Sequence, residues 1–213
     1  MDLSWIIRPN FDEETHEYRV DGRVVPSVTE ILTGAGLAEN RFSGGREIDS
    51  EVLENAAERG AFAHRAIELD CAGELDEDSL DDEIFAYVEA WRDFVADTGF
   101  LPVANEISFY NPIGDYCGTF DMVGYLGEEL TVVDLKTGSI GLKPWHKYQL
   151  AAYAAIFKNK EGKWPKRKML HLRPELKRKK YREYDFSTAT AEAHYTIFAA
   201  AGLVYSAKVA DQK

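Results

Sequence analysis

Gly118 to Gly138 reads GTFDMVGYLGEELTVVDLKTG. Two runs of alternating, largely apolar residues flank Gly127-Glu128, a pair whose leading glycine suits a type II′ hairpin turn. With that pair as the turn, Asp121 faces Asp134 across two strands, with β-carbons about 4.5–5.5 Å apart. Side chains alternate along a strand, so Asp121, Asp134 and Lys136 share one face and Phe120, Met122, Val133 and Leu135 point to the other. Two carboxylates and an amine therefore converge on one patch of an otherwise apolar sheet. An unpaired charge in such a strand is costly to bury, so the pattern asks for a cation between the acids. Divalent magnesium takes one or two carboxylates together with phosphate oxygens and water, which suits phosphodiester hydrolysis.

Outward from this hairpin the chain reads as alternating helices and strands. Tyr18-Arg-Val before Asp21-Gly22, followed by Arg-Val-Val, signals a β-hairpin. Ser27 or Thr29 caps a short helix through Leu32, and the glycines at 34, 36, 44 and 45 make 33–47 a loop. Leu53, Ala56, Ala57, Gly60, Ala63 and Ile67 recur at helical spacing over 50–72, with His64 and Glu68 one turn apart on the Gly60 side. Gly60 inside a helix implies that a backbone or ligand passes close by. A capping box at Ser79-Leu-Asp-Asp82 opens a second helix that ends near Thr98-Gly99. Leu101 to Tyr110 is a strand that carries an unusual charge, Glu106. Pro144 takes the first position of a helix on which Gln149 and Tyr153 are neighbours. Strands at 166–173 and 181–185 and a closing helix from Ser187 to about Ser206 complete a mixed α/β core.

With 213 residues, 45% of them hydrophobic, the chain suits one domain: an N-terminal hairpin and loop at 1–48, a core at 49–173, and a basic loop, strand and C-terminal helix at 174–213. No apolar run is long enough for a membrane span, and a cytoplasmic location is expected. Two cysteines, Cys71 and Cys117, cannot supply the four ligands of an iron–sulfur cluster. No phosphate-loop motif is present, so no use of ATP is expected. The net charge of −12 argues against a nucleic-acid partner, but its distribution argues for one. Residues 158–182 carry a net +10 and residues 1–157 a net −20. Lys177, Arg178, Lys179, Lys180 and Arg182 lie in the basic tract and are candidate contacts to a phosphate backbone.

Four blocks in order, Gly60-x-x-x-His64, Gly118-Thr-Phe-Asp121, Val133-Asp-Leu-Lys-Thr-Gly138 and Gln149-Leu-Ala-Ala-Tyr153, resemble the PD-(D/E)XK nuclease superfamily and its RecB-like exonuclease branch. Tyr18-x-x-Asp-Gly22 and Val25-Pro-Ser-Val-Thr29 look like segments of phage-encoded members. The resemblance implies a restriction-endonuclease-like core, a central mixed sheet flanked by helices. It implies a metal held by His64, Asp121, Asp134 and the backbone carbonyl of Leu135, and water activated by Lys136. It implies that Gln149 and Tyr153 position DNA and brace the site. Glu68 and Glu106 are further candidates for a second metal. The cofactor expected is Mg²⁺, with Mn²⁺ as a substitute. The partner expected is DNA, joined by a recombination or annealing protein, in an oligomeric state that the sequence leaves open. A catalytically inactive DNA-binding module on the same fold, a structure-selective endonuclease, and an acidic surface for a basic protein partner are the alternative readings.

Overall fold

The computed structural model describes residues 1–12, 15–38, 50–138 and 141–211, with the side chains of 50–54 left out. Residues 39–47 of the expected glycine loop, with Gly44 and Gly45, lie outside the described residues.

Strands β1 (Asn10–Asp12), β2 (Glu17–Val20) and β3 (Arg23–Val25) form a small antiparallel sheet, so the expected hairpin gains a third strand. Ser27 caps α1 (Val28–Gly34) through a complete capping box with Glu30, which decides between the two expected caps. The helix runs through Gly34, a position expected in the loop. There the missing side chain admits Tyr205, whose ring would lie 2.5 Å from an added β-carbon.

Helix α2 (Ser50–Ala72) matches its periodicity. Helix α3 (Asp82–Thr98) begins later than the Ser79 capping box predicts: its N-cap is Asp81, which accepts from the Ile84 N–H at 2.8 Å. The Ser79 hydroxyl is bound in the preceding turn, donating to the Asp76 carbonyl. Helix α3 closes on Gly99 in the left-handed conformation that glycine tolerates.

The main sheet has the order β4 (Leu101–Asn111), β5 (Tyr116–Leu126), β6 (Glu129–Lys136), β7 (Lys166–Leu172) and β8 (Tyr181–Phe186). Only β6 and β7 pair in parallel, and α4 (His146–Glu161) connects them. Pro144 falls short of the helix it was expected to open, because Trp145 is the N-cap and its carbonyl receives the Gln149 N–H. Ser187 caps a short turn at 188–190, and the closing helix α5 spans Ala191–Ala210.

Helices α2 and α3 cover one face of the sheet over Met122, Val133, Leu135, Leu170 and Leu172. Trp91, Phe94, Phe100 and Tyr181 interlock there at ring separations of 5.5–6.0 Å. Helices α1, α4 and α5 cover the other face over Val123, Val132 and Met169. Phe120 departs from the expected alternation. It packs into this second layer against Phe109 and Phe157, while its neighbour Met122 stays in the first. The cause lies at one level of the sheet, where the candidate site sits.

Candidate metal centre

The β5–β6 register is the one the turn predicts. Leu126 pairs with Glu129, Met122 pairs with Val133, and Gly127 has φ +60°. The ladder ends one step before Asp121 and Asp134. Beyond it, Asp121 Oδ2 accepts from the Leu135 N–H at 2.6 Å, so a carboxylate takes up a backbone donor of the neighbouring strand. Leu135 was expected to contribute its carbonyl; the contact seen here is through its N–H.

A bulge between Pro102 and Ala104 shifts β4 by one residue against β5. After the shift, Asn105 pairs with Met122 and Ile107 with Phe120, which brackets Glu106 opposite Asp121. Glu106 sits at φ +49°, a conformation disfavoured for a residue with a side chain and typical of strained functional positions. The side-chain alternation breaks at this level, which accounts for Phe120. Glu106, Asp121 and Asp134 thus stand on three adjacent strands at one height, followed by Met169 and Tyr184 on β7 and β8.

Helix α2 brings in the imidazole. Gly60 lets the helix approach the end of β6, where Thr137 Oγ1 would lie 3.2 Å from an added β-carbon; the close neighbour is this side chain, where the sequence implied a backbone or ligand. Ala63, Ala66 and Ile67 anchor the helix to the sheet, and His64 turns to the sheet's acidic level. His64 Nδ1 lies 3.2 Å from Glu106 Oε1 and 3.9 Å from Asp121 Oδ1. One donor atom from each of these three residues lies within 4.8 Å of the others. Asp134 stands beside this trio with Lys136 Nζ 2.7 Å from its Oδ2, an ion pair off the direction of a good hydrogen bond. From α4, Gln149 Nε2 donates to the Tyr153 hydroxyl at 2.9 Å, and the buried Gln149 Oε1 meets no donor among the described residues.

Burial raises the pKa of Asp121 above the usual carboxylate value, with His64 and Lys136 pulling against it and Glu106 adding to it. Burial likewise raises Asp134, opposed by Lys136 and reinforced by Asp121. Burial disfavours the charged forms of His64 and Lys136, yet the surrounding acids outweigh it and raise both. The site is short of positive charge, which is what a divalent cation supplies. Two carboxylates, Glu106 and Asp121, with the His64 imidazole form a hard, oxygen-rich donor set suited to Mg²⁺ or Mn²⁺, with Asp134 beside it, so the residues fit such an ion.

The other expected residues divide. Glu68 lies on the rim of a cavity of about 360 Å³ beside His64 and Glu106, and its carboxylate is held by Arg65 at 2.5 Å. In the basic tract, Lys179 pairs with Glu183 and Lys180 with Glu89, both at 2.9 Å. Lys177, Arg178 and Arg182 are exposed. Arg182 registers with His171, and His171 with Lys136, so a buried imidazole whose pKa is lowered by burial stands between the two cations. Two histidines escaped the sequence reading because a lone His carries no pattern. His146 accepts from the Lys143 N–H through Nδ1, and burial pushes its pKa down to about 4. His171 donates from Nε2 to the Gly138 carbonyl at 2.5 Å, which pins the loop after Lys136.

A family model described as the PD-(D/E)XK nuclease superfamily matches residues 11–208. A search of curated proteins gives no match. Among solved structures, the chain is similar to the crystal structure of LHK-Exo in complex with dAMP, at 12% identity and TM-score 0.39, covering 89% of this chain and 91% of that one. It is also similar to the crystal structure of SSO0001, at 15% identity and TM-score 0.30, covering 66% and 71%. Likenesses at these scores carry no functional weight. Among the described residues, no helix is long and apolar enough to cross a membrane.

Proposed function

Since the chain belongs to the PD-(D/E)XK nuclease superfamily, we propose that it is a Mg²⁺-dependent deoxyribonuclease of the RecB-like exonuclease branch, with residues 1–213 folding as one nuclease domain. The nuclease motif blocks support the branch, and the N-terminal Tyr18 and Val25 segments support a phage-encoded enzyme acting in the cytoplasm of the infected cell. The observation that carries the reading is the row of Glu106, Asp121 and Asp134 on three adjacent strands, with His64 above it and Lys136 beside it. In this reading His64, Glu106, Asp121 and Asp134 hold the metal. The ion, when bound, lowers the pKa of its water and offsets charge on the scissile phosphate. Lys136 orients that water and screens the growing negative charge. Its pairing with Asp134 keeps the ammonium protonated, which suits it to screening rather than to accepting a proton. Tyr153 and Gln149 brace the wall of the site from α4. Arg182 and the exposed Lys177 and Arg178 guide the DNA backbone.

The test is digestion of matched linear, circular, single-stranded and duplex DNA with and without Mg²⁺, comparing wild type with Asp134→Ala and Lys136→Ala. Linear DNA should be degraded only with metal, and Lys136→Ala should bind DNA without cutting it. Products from closed circles refute the exonuclease assignment. Intact linear DNA, together with no binding of Mg²⁺ or Mn²⁺, refutes the nuclease itself.

A further inference from the structure

Next to the carboxylates lies a second cavity of about 700 Å³, walled by the N-terminal sheet, α1, the start of β5 and α5. Its outer rim carries Phe11, 40% exposed, with its ring 4.7 Å from that of Tyr18 and 6.0 Å from that of His16. Tyr205 forms another wall, and Thr119 and Tyr153 close the inner end. This inner end adjoins the metal centre. Thr119 is two residues from Asp121, about 6.6 Å along the strand. Thr119 Oγ1 lies 2.8 Å from the Tyr18 hydroxyl and 2.7 Å from Ser108 Oγ, which ties the aromatic rim to β4 and β5.

The lining selects the ligand. Among the described residues no lysine or arginine lines this cavity, and the one acid that does, Glu30, receives the Ser27 backbone N–H at 2.7 Å. Among these residues a phosphate would find no cation. Aromatic faces bordered by hydroxyls suit the flat, polar-edged surface of a nucleobase, and the volume lies within the ordinary range of small-ligand sites. We propose that this groove is a nucleobase subsite. It takes an unstacked base of the strand whose phosphodiester lies at the carboxylates, with Phe11 as the stacking platform. The inference rests on the nuclease reading and extends it: the strand enters the site unpaired.

Single-stranded oligonucleotides carrying one abasic residue at successive positions from either end test this, with dissociation constants measured by fluorescence anisotropy on Lys136→Ala protein in Mg²⁺. One or two positions should bind about 5- to 150-fold more weakly, the range set by loss of one base–aromatic stack. That positional penalty should vanish in a Phe11→Ala background and return with Phe11→Trp. A scan flat at all positions, or a penalty that Phe11→Ala leaves unchanged, overturns the subsite while metal-dependent cleavage by the wild type stands. Absence of both DNA binding and cleavage overturns the subsite and the nuclease reading together.

Discussion

Replacing Lys136 by Met removes the ammonium 2.7 Å from Asp134 Oδ2 and keeps most of the side-chain volume. Asp134 is 1% exposed, so its carboxylate is left in the protein without a counter-charge. Breaking a buried pair in this way costs about 3–5 kcal/mol. The Lys136 side chain is 29% exposed, which lets water screen part of the interaction, so about 2–3 kcal/mol is expected here. The converse change, Asp134→Asn, leaves a lysine able to turn its ammonium to solvent and should cost under about 1 kcal/mol. Urea unfolding in metal-free buffer reads the difference: with a slope of about 2 kcal/mol/M, Lys136→Met lowers the midpoint by about 1–1.5 M.

The deficit should also depend on pH. Burial already raises the Asp134 pKa above its usual value, and loss of Lys136 raises it further. A carboxyl group whose pKa is higher folded than unfolded takes up protons on folding, so its destabilising effect is full at neutral pH and fades as pH falls through the folded value. The gap between Lys136→Met and wild type should therefore narrow from neutral pH toward the ordinary carboxylate range. Equal costs for Lys136→Met and Asp134→Asn, or a gap unchanged on acidification, would refute the reasoning.

Glu106→Gln should weaken Mn²⁺ binding at least about tenfold by calorimetry, which removes about 1.4 kcal/mol of metal-induced stabilisation, whereas Glu68→Gln, its carboxylate engaged by Arg65, should change binding less than about twofold. Gly118→Ala places a β-carbon 3.0 Å from Tyr153 Cε1 and 3.1 Å from Phe109 Cζ, so thermal unfolding should show a loss of about 1–3 kcal/mol. The double change Lys177→Ala with Arg178→Ala should reduce the salt slope of DNA binding by about 2, and Lys180→Ala, held by Glu89, should leave the slope within about 0.5.

The hairpin was legible because its determinants are local. Gly127 fixes the turn, the turn fixes the register, and the two-residue period puts Asp134 and Lys136 on one face. The neighbouring elements were less so. Capping residues compete, and the Ser79 hydroxyl goes to Asp76 while Asp81 starts α3. Of the basic tract, Lys180 is taken by Glu89, 91 residues away in the chain, a pairing that no local pattern encodes.

The sequence by itself determined the α/β class, the Asp121–Asp134 level, the amine beside it, and the helix pair Gln149–Tyr153, because each follows from spacing within one element or one tight turn. Tertiary structure decided which acid joins His64 and Asp121. Glu106 reaches them because a bulge at 102–104 shifts β4 by one residue and a left-handed backbone turns its carboxylate inward. A strand's register against a neighbour depends on packing along its whole length, and a one-residue shift redirects every side chain.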